Sequence, residues 1–168
     1  MPSYKAKSIS IKTAPFAEAD KLVTLFTRER GKIRVLAKGS RRIPSRLGGR
    51  VESFTYADCY IAGCRSLDIL SQCQVIESFQ WLRQDPKRLP AGLYMLKLIS
   101  LGTVEGQPNP ELFDLLLESL LKLKNEERVR KAAKEFEREF VRREGILRED
   151  LDPHYILSEH VGKDLSRW

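Results

Sequence analysis

The most concentrated functional feature of this sequence is a cluster of positively charged side chains. Between residues 28 and 50, nine Lys or Arg side chains stand against the single carboxylate of Glu29. Such a local excess is typical of a surface that binds a polyanion, and the alternative is a solvated face that only keeps the protein soluble. We predict a nucleic-acid surface made of Arg28, Arg30, Lys32, Arg34, Lys38, Arg41, Arg42, Arg46 and Arg50.

Residues 32–38 predict how part of this surface is displayed. Side chains alternate between the two faces of a strand, so Lys32, Arg34 and Lys38 should share the outer face. The apolar residues between them should then point to a core. The loop at 39–49 is rich in Gly and Ser, and we expect it to be mobile and able to close over a strand of nucleic acid.

Three aromatic residues provide a second candidate for nucleic-acid chemistry. Phe54, Tyr56 and Tyr60 lie at even spacing, so on one strand they would share a face. Exposed rings can stack on bases. Three large rings in register also fill the inside of a small barrel, and we expect them in the core.

The cysteines and histidines do not have the spacing of a metal site. Cys59, Cys64 and Cys73 form no CxxC pair, and a structural zinc ion needs four ligands. His154 and His160 are six residues apart, so they do not share a helix face as an i, i+4 pair would. We predict no metal and no cofactor, with the cysteines acting as small apolar side chains.

No catalytic motif is found in the sequence. It lacks the phosphate-binding GK[ST] loop, the GxSxG nucleophile turn, the HExxH metal motif and the EF-hand pattern. Its many carboxylates alternate with Lys and Arg, which is typical of solvated helix faces. We therefore predict that the protein is not an enzyme.

Composition limits the class of protein further. The chain has 168 residues, of which 42% are apolar, enough for a core in one large or two small domains. It has no stretch of ~18 apolar residues that would span a bilayer and no secretory signal. Three cysteines suit a reducing compartment. We expect a cytoplasmic protein without a membrane partner.

The charge is divided unevenly along the chain. Residues 1–50 hold 13 basic and 3 acidic side chains, whereas residues 51–168 hold 17 basic and 20 acidic ones. The net charge of +7 therefore comes from the first third. This pattern predicts a cationic front module joined to a nearly neutral body.

Short strand-like runs occupy the first part of the chain. Their β-branched and aromatic residues alternate with Gly and charge, and Gly31 suits a hairpin that needs a positive φ. Five strands without an intervening helix favour a small closed barrel, because closure removes the exposed edges of the sheet. The predicted strands are 4–12, 21–27, 32–38, 54–62 and 66–75.

After residue 76 the hydrophobic period becomes helical. Asn109 and Pro110 suit the start of a leucine-rich helix over 111–124. A helix should precede Gly102, an amphipathic helix should follow from Val129 to about residue 144, and Gly145 should end it. A last short helix should begin at Asp152 and Pro153 and end near Gly162. The predicted fold class is α+β, with a barrel domain at 1–78 and an all-helical domain at 79–168.

Several of these segments together resemble the bacterial RecO family. Residues 21–42 resemble its N-terminal signature, preceded by an E-x-D pattern at Glu18 and Asp20 and followed by Ser45 and Arg46. Residues 80–86 and 108–120 resemble the helical part of the family, and a weaker match lies at 160–166. The resemblance implies an N-terminal five-stranded OB-fold and a helical C-terminal domain.

The resemblance also implies a function. Members of this family are recombination mediators that bind single- and double-stranded DNA and anneal strands. They contact the acidic tail of single-stranded-DNA-binding protein and act with RecR to load RecA, which would associate this chain with the nucleoid. The helical domain would bind that tail in an apolar groove, for which we predict a cationic rim of Lys122, Lys124, Arg128 and Arg130.

Two further hypotheses about function stay open, and the sequence departs from the family pattern in one respect. A basic OB-fold RNA-binding module with a helical interaction domain explains the barrel equally well, but not the leucine-rich half. An enzyme would need a pair of perturbed acids or bases that the sequence does not show. Many family members carry a four-cysteine zinc module after the helix that ends here near Gly145. This chain has no cysteine beyond Cys73, so it is either naturally compact or shortened.

Overall fold

The chain folds into two compact units. The computed structural model describes residues 2–42, 45, 47–144 and 153–154. The first unit consists of residues 1–79 together with 104–110, and the second of residues 80–103 together with 111–168. The domain boundary predicted at residue 78 assigns residues 104–110 to the helical domain, whereas they belong to the first unit.

Five strands form the first unit and close into a barrel. Each neighbouring pair is antiparallel except β3 and β5, which run parallel where Val35 lies opposite Asp68. The order around the barrel, β1-β2-β3-β5-β4, is that of an OB-fold, which confirms the predicted architecture. The strands are β1 Ser3–Phe16, β2 Asp20–Thr27, β3 Gly31–Ala37, β4 Tyr56–Ala62 and β5 Asp68–Glu77.

Aliphatic side chains and several small ones fill the interior of this barrel. Along β3, Val35 and Ala37 are buried and Ile33 packs against the same core, as the alternation of apolar and charged residues predicts. Residues such as Ala57 and Cys59 suit this position because a five-stranded barrel is narrow. The charged residues of β3 are consequently on its outer face.

Strand β1 is longer than predicted because it pairs with two neighbours. Its first half pairs with β4 and its second half with β2, and the register shifts between Ser10 and Lys12. Such a bulge bends a strand and increases its twist. At the bend, the Ser10 hydroxyl donates to the Val51 carbonyl at 3.0 Å, and the Phe54 amide donates to the Ser10 carbonyl at 2.8 Å.

The second unit contains helices that agree with the predicted leucine-rich and amphipathic segments. Ala133, Phe136 and Phe140 are buried on one face of the last of them, as their spacing predicts. Gly145, Asp152 and Gly162, at which helix ends were predicted, lie outside the described residues. The helices are α1 Gln80–Arg83, α2 Leu89–Gly102, α3 Pro110–Lys122 and α4 Val129–Arg143.

Arg88 holds the turn between α3 and α4. Its Nε donates to the Leu123 carbonyl at 2.7 Å and its Nη2 donates to the Glu126 carbonyl at 3.1 Å. Its Nη1 pairs with Asp85 at 2.8 Å. These bonds tie two carbonyls of the segment between α3 and α4 to Arg88. Within the described residues, no helix has both the length and the apolar character needed to cross a membrane.

Candidate nucleic-acid interface

The structure separates the predicted cations into groups. Strand β3 runs from Gly31 to Ala37, which is about 20 Å at ~3.3 Å per residue. Arg28 and Arg30 lie in the turn before this strand, and we call them the hairpin cations. Lys38, Arg41 and Arg42 follow it at the other end, and we call them the far-end cations.

One of the hairpin cations is held by an aromatic ring. The Arg30 guanidinium carbon lies 3.8 Å from the centroid of the Tyr4 ring. Partial burial, followed by the hydrogen bond to Asp68, raises the pKa of Tyr4, whose hydroxyl donates to Asp68 Oδ2 at 2.7 Å. A planar guanidinium stacked on a ring is oriented while its N–H edge stays open to an anion. Arg28 and Arg30 are both exposed.

The two cations in the first half of β3 face a segment of their own unit. Lys32 forms a parallel bridge with Glu105, and the Gly106 amide donates to the Lys32 carbonyl at 2.9 Å. Arg34 Nε lies 3.4 Å from Glu105 Oε1. Desolvation lowers the pKa of Lys32, and the nearby Glu105 opposes that shift. A phosphate at this face must therefore compete with Glu105.

The far-end cations lie in a loop that is tied to the turn between β1 and β2. Arg41 donates through its amide to the Ala19 carbonyl at 3.0 Å and through Nη1 to the Ala17 carbonyl at 3.2 Å. The Gly39 amide donates to Asp20 Oδ1 at 2.8 Å. Asp20, which the family pattern marks, thus orients the loop that presents Arg41.

Of the last two predicted cations, Arg46 lies outside the described residues, and Arg50 does not extend either group. Arg50 lies in a 3₁₀ turn at Gly48–Val51, and its Nη1 donates to the Cys73 carbonyl of β5 at 3.1 Å. Arg50 is therefore fixed against β5, not beside the β2–β3 hairpin.

The expectation that all three aromatics lie in the core is wrong for Tyr60. Phe54 is buried, but it precedes β4 and has a φ of +78°, so the alternation of the strand does not extend to it. Within β4, Ala57 and Ile61 face the interior, which leaves Tyr60 on the outside with 42% of its surface exposed. An exposed ring of this kind is available for base stacking.

All three cysteines were predicted to be small apolar side chains in strands, and Cys59 and Cys73 are buried in this way, whereas Cys64 is only partly buried. Cys59 and Cys73 lie opposite each other on β4 and β5 with their Sγ atoms 3.6 Å apart, and neither forms a disulfide. The Ser8 hydroxyl lies 3.1 Å from Cys59 Sγ. The hydrogen bond from Cys73 to Cys59, together with burial, raises the pKa of Cys73. No group of three or more potential metal ligands occurs within the described residues.

The four residues predicted for the rim lie between the end of α3 and the first turn of α4. Lys122 is exposed at the end of α3, and Lys124 Nζ lies 5.8 Å from the centroid of the Trp81 ring. Arg128 is exposed, and its amide donates to Glu126 Oε1 at 2.7 Å. Of the four predicted residues, Arg130 alone lines the apolar groove described next.

That groove lies at the start of α4 and has a volume of about 270 Å³. Pro90, Ala91 and Val129 form its apolar walls, and Lys87 and Arg130 provide its cations. Sequence analysis missed Lys87, because it lies in a turn more than forty residues before Arg130 and shows no pattern of its own. The shape and charge suit an acidic, apolar peptide.

A buried polar cluster was also missed by the sequence analysis. The Tyr94 hydroxyl donates to Glu137 Oε2 at 2.7 Å, and His154 Nδ1 lies 2.9 Å from the same hydroxyl and 3.3 Å from Glu137. Glu137 is only 4% exposed. A buried carboxylate needs such partners, so the cluster connects α2, α4 and residue 154.

A cationic OB barrel followed in sequence by helices defines a class of nucleic-acid-binding proteins. Two family models match the chain, "Recombination protein O N terminal" over residues 1–79 and "Recombination protein O C terminal" over residues 83–146. The chain therefore belongs to the recombination protein O (RecO) family, which confirms the resemblance seen in its motifs.

Individual relatives agree with this assignment. The chain is 40% identical over 123 residues to the DNA repair protein RecO of Acaryochloris marina, a match that covers 73% of this chain and 42% of the relative. It is 40% identical over 116 residues to the Bacillus pumilus protein of the same name, covering 69% and 45%. The corresponding match in Desulfitobacterium hafniense is 41% over 120 residues, covering 71% and 44%. The matched region is thus less than half the length of these relatives.

Proposed function

We propose that the protein binds DNA and acts in recombinational DNA repair, where it anneals single strands. The observation that carries this proposal is the placement of exposed cations at both ends of the β2–β3 hairpin on the barrel of a RecO-family protein. Family membership supports the repair role. The absence of a catalytic motif in the sequence supports a binding protein that is not an enzyme.

The mechanism follows from the separation of the two cation groups. About 20 Å lies between the hairpin cations and the far-end cations, so they reach phosphates several nucleotides apart or on two different strands. Neutralising phosphates on two strands lowers the repulsion that opposes their pairing. Annealing by this route needs charge and exposure but no chemical step on the DNA.

The helical unit supplies a site for a protein partner in this proposal. The groove between Lys87 and Arg130 would bind the acidic, apolar tail of single-stranded-DNA-binding protein. Displacement of that protein, cooperation with RecR and loading of RecA complete the proposed role. A protein acting on chromosomal DNA in this way would be found with the nucleoid.

Binding to oligo-dT provides the direct test of DNA binding by the barrel. Reversing the charge of Lys38, Arg41 and Arg42 together should weaken binding by at least about tenfold at moderate salt, because three phosphate contacts become repulsive. The matched control reverses the charge of Lys97, Lys131 and Lys134, which are exposed on helices. These replacements change the net charge by the same amount. Equal losses in both variants would show that net charge alone drives binding and would contradict the assigned surface.

An RNA-binding module is the second candidate, because a basic OB barrel suits either nucleic acid. Measuring the affinity for oligo-U beside that for oligo-dT of equal length separates the two.

Annealing of complementary strands coated with single-stranded-DNA-binding protein, with and without its acidic tail, tests the protein partner. We expect loss of tail-dependent annealing when Arg130 and Lys87 are both replaced by Glu, and unchanged annealing would remove the groove from the proposal.

A further inference from the structure

A cleft opens on the side of the barrel formed by β1, β4 and β5. Its volume is about 560 Å³, within the ~300–1,000 Å³ typical of ligand sites. Strand register explains part of its wall, because Tyr60 lies opposite both Lys5 of β1 and Gln72 of β5 on the outer face. The lining residues are Ser3, Leu47, Arg50, Tyr60, Ser71, Gln72 and Cys73.

The chemistry of the cleft suits an anion attached to a flat ring. Among the described residues, its lining includes Arg50 and no carboxylate. One donor of Arg50 binds the Cys73 carbonyl at 3.1 Å, which fixes the guanidinium at the wall and leaves further donors for a ligand. Gln72 and the two serines offer both donors and acceptors to the edge of a base.

Tyr60 provides the stacking surface. It is 42% exposed although it lies in the middle of a strand. Lys5 Nζ lies 5.5 Å from the centroid of its ring and 3.9 Å from Asp58 Oδ2. The Lys5 side chain is 53% exposed, whereas that of Asp58 is only 20% exposed, and the distance between them is long for an ion pair. Lys5 can therefore reorient toward a phosphate.

The other wall of the cleft is held in place by local hydrogen bonds. The amides of Leu47 and Gly48 both donate to the Ser45 hydroxyl, each at 3.1 Å. The Arg50 amide donates to the Leu47 carbonyl at 3.0 Å, which closes the 3₁₀ turn. The guanidinium is therefore presented from an ordered turn anchored to β5.

We propose that this cleft binds one unpaired nucleotide of single-stranded DNA, with its base stacked on Tyr60 and its phosphate on Arg50. The inference rests on the proposed DNA-binding function and adds a contact that reads single-strandedness, since a base inside a duplex cannot reach the ring. It lies apart from the strand on which Lys32 and Arg34 face Glu105.

Crosslinking tests the position of the base. Oligo-dT with one 5-iodouracil is bound to the full chain at low salt and irradiated, and the modified residue is identified by mass spectrometry. We expect the crosslink at Tyr60. A crosslink that maps only to other residues, while oligo-dT binding is intact, would overturn the inference.

Affinity measurements test the stacking. Tyr60→Leu should weaken oligo-dT binding by about fivefold or more, whereas Tyr60→Phe, which keeps the ring, should remain within about twofold. Binding of a duplex of equal length should be the same for all three proteins. Equal affinity of Tyr60→Leu and wild type for oligo-dT would contradict a stacked base.

Arg50 is tested through the salt dependence of binding. Arg50→Gln should reduce the slope of log K against log salt by about 0.7, the value for one phosphate contact on a single strand, and Arg50→Lys should restore it. An unchanged slope in Arg50→Gln would remove Arg50 from the site. If the wild-type chain does not bind oligo-dT at low salt, the proposed function itself fails, an outcome distinct from intact binding without a role for Tyr60.

Discussion

At the scale of single residues, Glu105 determines how open the outer face of β3 is to an anion. Its carboxylate lies 3.4 Å from Arg34 Nε, and its backbone pairs with that of Lys32. Both side chains of the Arg34–Glu105 pair are more than half exposed, so the pair itself contributes little stability. In the proposed DNA complex, its main effect would therefore be electrostatic competition with phosphate.

Removing this carboxylate should strengthen DNA binding. Glu105→Gln is expected to raise the affinity for oligo-dT by about 1.4- to fivefold at low salt, because an exposed ion pair of this kind is worth ~0.2–1 kcal/mol. Fluorescence anisotropy at two salt concentrations measures the change. Glu118→Gln, an exposed change of the same charge on α3, is the control, and an equal gain there would mean that only net charge matters.

Glycine is required at position 31 both by the backbone conformation there and by the close approach of another segment. Its φ is +71°, and a Cβ at this position would overlap the carbonyl of Gln107. Gly31→Ala should lower the free energy of unfolding by at least about 1 kcal/mol, measured by denaturant titration. Gly49→Ala, where a Cβ meets nothing within 4 Å, should stay within about 0.5 kcal/mol. Equal stability of the two variants would contradict the close approach of residue 107.

At the scale of elements, Gly102 allows a close approach of α2 and α4. A Cβ there would lie 2.5 Å from Cζ of Phe140. Helix propensity alone favours Ala over Gly by about 1 kcal/mol, so the two effects have opposite signs. We expect steric overlap to dominate and Gly102→Ala to lower stability.

The same change should be neutral or stabilising in a Phe140→Leu background, where the ring is gone. Thermal unfolding followed by far-UV circular dichroism measures this double-mutant cycle. Destabilisation of equal size in both backgrounds would show that the Phe140 ring is not the cause.

Strand β3 could be predicted from the sequence, whereas the position of Tyr60 could not. The alternation of apolar and charged residues correctly predicted which side chains of β3 face the core, because one face of that strand is turned to the core along its length. It misplaced Tyr60 because Phe54 precedes β4 with a positive φ, so the two residues do not share one alternation. The nine cations were grouped by position in the chain, whereas the length of β3 places the cations before it and those after it at opposite ends of the strand. The contact of residues 104–110 with β3 is non-local and has no periodic signal.

At the scale of the whole molecule, the concentration of positive charge in the first 50 residues predicts the response to salt. If the hairpin and far-end cations contact five phosphates, log K for oligo-dT should fall with log salt with a slope of about −3.5. Titrations between low and moderate salt measure this slope. A slope near zero would mean that phosphates are not the main contact and would contradict the charge-based mechanism.

The return of residues 104–110 to the barrel has a consequence for synthesis on the ribosome. The last strand of the barrel ends at Glu77, yet the segment beside Gly31 and Lys32 is made about thirty residues later. At ~5–20 residues per second, roughly two to six seconds separate these events. During that interval the β2–β3 hairpin is exposed to the cell without Glu105 beside Arg34, so the nascent barrel carries one more positive charge than the finished unit.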